Sequence, residues 1–197
     1  MKKGEQLKKD QRRQARMSRR AEEQTRRRRG RRRRQLYVAG GVAAVVVLVA
    51  VLVWSATRPR VGENIPALPN TPHIPSVTSP HTPYNSNPPT SGQHVAFTAP
   101  WGFHTEVIDD EVIVHNLEHG GIWISYKNAG DTAVIDQLRA LLPQLPRKTI
   151  VTPRPKNDSR IAVASWGHLL TLDRVDTALI IRFADSYKNK APEPLAQ

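Results

Sequence analysis

Six of the seven histidines in this 197-residue chain fall between positions 73 and 119: His73, His81, His94, His104, His115 and His119, with His168 the last. Imidazole is the commonest metal ligand among side chains and the one most easily tuned near neutral pH. The densest group is His115-Asn116-Leu117-Glu118-His119, which runs straight into Gly120-Gly121. As a helical turn it places His115 and His119 one above the other, at the i, i+4 spacing that lets two imidazoles share a metal. As a strand it would hold them about 13 Å apart. Glycine just past a helix end is the preferred left-handed cap, so the two glycines favour a helical turn that stops there.

Several chemistries fit these residues. In the first, His94, His115, His119 and His168 are metal ligands, with Glu118 and Ser91 supporting them by hydrogen bonds and Glu118 also an occasional ligand. An imidazole-rich, thiol-free site suits zinc, copper(II) or nickel. The string also matches the H-x-x-E-H pattern, in which two histidines bind zinc and the Glu activates water. That pattern belongs inside a long helix, whereas strand-like residues and two glycines flank it here. Ser91, close to His94, lacks the strand-turn-helix setting of a nucleophile elbow. Against all of these stands a plain alternative, a non-catalytic interaction module whose histidines bond loop carbonyls. No cysteine is present, which excludes disulfides, thiolate metal sites and Cys nucleophiles. The only methionines are Met1 and Met17, both in the basic tail, so a Met-rich copper(I) site is not expected.

The net charge of +13 sits at one end. Residues 1–34 hold 17 basic and 4 acidic side chains, while the remainder balances at 13 against 13. The run ends in Arg26-Arg27-Arg28-Arg29-Gly30-Arg31-Arg32-Arg33-Arg34, with no aromatic residue before Tyr37. Without a base-stacking platform, nucleic acid is not the expected partner. Anionic lipid headgroups are, because 19 uncharged residues follow at once, Leu36 to Trp54, enough for roughly 28 Å of helix. Tyr37 and Trp54 stand at the ends of this span, where amphipathic aromatics favour the headgroup level. The charge bias puts a cytoplasmic tail at 1–34, a transmembrane helix at 35–57 and everything beyond outside the cytoplasmic membrane. The long charged region and the poor cleavage site Val53-Trp54-Ser55 favour an anchor over a removed signal peptide.

Nine prolines between Arg58 and Thr90 exclude helix there and predict an extended, Pro-rich spacer over 58–83. Residues 84–197 then predict a small extracytoplasmic α+β domain with a mixed sheet and two helices. Strands are expected at 106–114, 121–126, 149–152, 160–165 and 168–172. Helices are expected at 131–142, with Asp131 as N-cap, and at about 175–188.

Tyr84-Asn85-x-x-Pro88-Pro89-Thr90-Ser91-Gly92-x-His94, Val114 to Gly120, Ser165-Trp166-Gly167-His168 and Ala191-Pro192-Glu193 together resemble the bacterial family called domain of unknown function 3105. His73-Ile74-Pro75 is similar to that family's opening motif, so the resemblance spans roughly residues 70 to 195. It implies one N-terminal membrane anchor and an exported domain, and it brings no activity. It places His94, His115, Glu118 and His119 in the family signature, with departures at Gln93 and Ser165.

Overall fold

The structure is a computed structural model that describes residues 17, 31, 34–54, 61–69 and 73–195. Most of the basic tail and residues 55–60 lie outside the described residues. The chain forms two units, divided after Pro59. In the first, helix α1 (Arg34–Trp54) runs for 21 residues with a mean hydropathy of 2.8, long and apolar enough to cross a membrane. Leu36, Tyr37 and Trp54 are exposed on it.

The second unit is α+β. Its elements run β1 (Glu63–Asn64), β2 (Gly102–Phe103), α2 (Asp110–Glu118), β3 (Ile122–Tyr126), α3 (Thr132–Leu141), β4 (Thr149–Pro153), β5 (Ile161–Ser165), β6 (His168–Leu172) and α4 (Thr177–Tyr187). They build one mixed six-stranded sheet in the order β1-β6-β5-β3-β4-β2. The β3/β4 and β2/β4 pairs are parallel and the others antiparallel. Alternation along the strands sends Ile122, Ile124, Val151, Ile161 and Val163 into one core with α3 and α4, and Trp123, Ile150, Ala162 and Ala164 into another with α2. Asp131 caps α3, accepting from Val134 N, and Asp176 does the same for α4 through Leu179 N.

One expected strand is a helix. Val112-Ile113-Val114 reads as strand because β-branched residues favour extended backbone, yet residues 110–118 are α2. All seven residues from Val112 to Glu118 are buried, so this helix has no polar face and its sequence no 3.6-residue period. β-Branching costs a helix only a few tenths of a kcal/mol per residue. Burying Val112, Ile113 and Leu117 contributes about 1.5–3 kcal/mol each, so packing decides the conformation. An ion pair fixes where the helix starts: Arg154, after β4, donates through Nε and Nη2 to both carboxylate oxygens of Asp110, each at 2.8 Å. Among the described residues the domain therefore carries three α-helices rather than two.

The Pro-rich stretch expected as spacer at 58–83 is built into this unit where it is described. β1 pairs with β6, Ile65 N donates to Gly167 O at 2.8 Å, and buried Ile74 bridges to Val95. Proline lacks an N–H, but the residues between prolines keep theirs, and an extended strap can be pinned through them. Leu68 N, for example, donates to Ser91 Oγ at 2.9 Å.

Candidate metal centre

The four ligand candidates arrive on three pieces of chain. His115 and Glu118 lie on α2, which ends as the two glycines suggest: Gly121 N donates to Asn116 O and Gly120 N to Leu117 O, with Gly120 at φ +79°. Asn116, between the candidates, clamps the loop before β2 by donating to Ala99 O at 2.9 Å and accepting from Ala99 N at 3.0 Å. His94 is fully buried in the loop that follows Gly92. Gly92 has φ +127°, and a Cβ there would meet the Tyr84 ring at 2.9 Å. The Tyr84 hydroxyl donates to Gln93 O at 2.8 Å, and burial, with Glu111 and Asp110 adding, raises its pKa well above the ordinary phenol value. His73 is half-exposed and comes from the strap, set beside His94 because the next residue, Ile74, donates its N–H to His94 O at 2.9 Å.

Three Nε2 atoms surround one oxygen. From Glu118 Oε2, the Nε2 of His94 lies at 2.9 Å, that of His73 at 3.9 Å and that of His115 at 3.9 Å. The rings of His73, His94 and His115 form a triangle with centroid separations of 4.9, 5.1 and 4.9 Å. One ligand atom from each of His73, His94, His115 and Glu118 falls within 4.8 Å of all the others. Tetrahedral ligands on bonds of about 2.1 Å stand about 3.4 Å apart, so shifts of a few tenths of an ångström to about 1 Å would close this set on an ion.

The protons point the same way. Nδ1 of His94 donates to Gly92 O at 2.8 Å, which leaves Nε2 as a lone pair in the neutral ring. That lone pair faces a carboxylate oxygen at 2.9 Å, and two acceptors at that distance need a cation between them, a proton or a metal ion. His115 is pushed down to about 4 by burial and by His119, His94 and His73, with Glu118 opposing. At neutral pH it is therefore uncharged, the form that binds metals.

The structure divides the residues singled out from sequence. His94, His115 and Glu118 come together. His119 is buried next to them, its ring centroid 4.5 Å from that of His115, but outside the four-residue set. In the four-residue set His115 is therefore joined by His73 and His94 and not by His119, which differs from the inverted-zincin arrangement of both helical histidines with Glu as base. His168 is far from this role. It shares its sheet face with Leu170 and Leu172, on the α4 side, where it donates Nδ1 to Trp166 O and stacks on Tyr187 at 3.8 Å. Alternation puts the sheet between His168 and α2. Ser91 is fully buried and accepts from Leu68 N, so it anchors the strap. His81 and His104 bond the carbonyls of Thr82 and Pro100, the structural use that the alternative reading expected. His73 was not among the expected ligands. It belongs to the opening motif, but its partners lie 21 to 45 positions along the chain and only the Ile74–Val95 bridge brings it in.

An α+β domain that gathers three imidazoles around a carboxylate of a buried helix, in a chain with one long apolar helix among the described residues, defines the class of protein. Residues 76–197, more than half of the chain, match the family described as protein of unknown function (DUF3105), and the chain belongs to that family. His73 stands three residues ahead of the matched segment. No curated protein and no solved structure matches the chain.

Proposed function

We propose that this protein is a membrane-anchored metal-binding protein whose exported domain holds one transition-metal ion, zinc in preference to copper(II), on His73, His94, His115 and Glu118. The observation that carries the reading is the convergence of three Nε2 atoms on Glu118 Oε2, one of them, from His94, with its other nitrogen already committed to Gly92 O. Three nitrogens and one carboxylate oxygen that small shifts bring to tetrahedral spacing suit zinc, which has no geometric preference to oppose them. The half-exposed His73 leaves the ion reachable from solvent. Helix α1 is the anchor, with the basic tail inside against anionic lipid headgroups and the α+β domain outside. Protease treatment of sealed right-side-out vesicles tests that orientation by digesting the domain and sparing the tail.

The metal reading is tested by mass spectrometric metal analysis of the full chain in detergent micelles, with a His94→Ala variant beside it. About one zinc per chain, lost in the variant, is the expected result. A full chain that retains neither zinc nor copper after loading would leave the histidines as structural residues.

A further inference from the structure

His115 also packs against a histidine outside the four-residue set. The His119 ring lies against it at a centroid distance of 4.5 Å, edge to face. Nδ1 of His115 and Nδ1 of His119 are both buried, and neither has a hydrogen-bond partner among the described residues. A metal-bound imidazole almost always hands its other N–H to a carbonyl, carboxylate or water, as His94 does with Gly92 O. His115 departs from that pattern, because no described residue takes its second nitrogen.

Beside it, Nε2 of His119 lies 3.7 Å from Glu193 Oε2. That is too long for a hydrogen bond and close to the separation of about 3.4 Å between two ligands of one tetrahedral ion. Glu193 is held in place by its backbone: its N–H donates to Glu118 O at 3.0 Å, while Lys148 Nζ donates to both His119 O and Pro194 O. The C-terminal segment is thus fastened across the end of α2, with the Glu193 carboxylate more than half exposed and open to solvent cations.

We infer that His119 and Glu193, with the Nδ1 side of His115, form a second divalent-cation position, so that His115 bridges two ions through its two ring nitrogens. The second ion replaces the Nδ1 proton of His115, which leaves to solvent. Its carboxylate is Glu193, as Glu118 serves the first. This inference rests on the first site binding metal.

The test is equilibrium dialysis of the full chain in detergent micelles against excess zinc, with metal counted per chain for wild type, His119→Ala and Glu193→Ala. The Glu193 side chain is largely exposed and its backbone bond to Glu118 survives truncation, so that variant keeps the fold even where His119→Ala disturbs it. Two zinc ions per wild-type chain and one in each variant are expected. One ion in wild type overturns the second position while leaving the first intact, and two ions in every form place the second elsewhere and overturn it as well. No ion in wild type removes the first site and this one together.

Discussion

Nε2 of His94 lies 2.9 Å from Oε2 of Glu118, inside the protein and across 24 positions of sequence. Because Gly92 O already takes the Nδ1 proton, this contact joins two groups that repel unless a cation lies between them. Replacing Glu118 with Gln keeps the shape and gives His94 an amide N–H to accept. Glu118→Gln is therefore expected to fold normally and to bind zinc at least about 100-fold more weakly, by competition against a chromophoric chelator. Unchanged affinity would take Glu118 out of the ligand set.

Zinc should also stabilise the fold. With free zinc at about 100 times its Kd, binding adds about 2.7 kcal/mol, a rise of roughly 5–10 °C in Tm for a domain of this size. His73→Ala separates ligand from scaffold, because its side chain is half-exposed. The variant should melt with the wild type in chelator and lose most of the zinc-dependent rise. A rise of wild-type size would exclude His73 as a ligand.

Arg154 and Asp110 locate the start of α2 through a largely buried, two-pronged ion pair, and Arg154 also bonds Asn87 and Asn157. Arg154→Ala leaves the Asp110 carboxylate without its cation and is expected to cost about 3–5 kcal/mol in urea denaturation. A loss below about 1 kcal/mol would mean that water replaces the guanidinium without strain.

Asp131 both caps α3 and pairs with Arg160 at 2.7 Å, and its hydrogen bond to Arg160 holds its pKa below the ordinary carboxylate value. The sign follows: the contribution is fully present above the unfolded value of about 4 and is lost as pH falls through the lower folded value. Asp131→Asn keeps a capping oxygen and removes this dependence. Its deficit against wild type, followed by denaturant melts between pH 6 and pH 3, should shrink toward the acid end. A constant deficit would show that the ion pair contributes nothing.

Gly92 is needed twice, for φ +127° and for the Tyr84 ring that a Cβ would strike. Gly92→Ala should lower stability by at least about 1 kcal/mol and weaken zinc binding with it, since Gly92 O orients His94. Tyr84→Phe, which removes only the bond to Gln93 O, should cost about 1 kcal/mol and leave zinc binding close to normal. Equal effects of the two changes on zinc would argue against the orienting role of Gly92 O.

The α+β class, α3 with its Asp131 cap, the strands β3 to β6 and the long apolar helix were all legible in sequence. Each depends on local periodicity, capping or length, properties that a chain carries before it folds. The same holds for the helical turn at His115 to His119, announced by its glycines. Tertiary structure decided the rest. Residues 110–118 are helical because the sheet and the surrounding loops bury the seven from Val112 to Glu118, which erases the period that would reveal them. His119 is one helical turn from His115 but lies outside the four-residue set, and His168 falls on the wrong face of a sheet whose alternation cannot be known until its register is set. His73 joins because one backbone bond, Ile74 N to His94 O, closes a loop of 20 residues. Ligand convergence is a property of long-range pairing, and no local pattern in the chain encodes it.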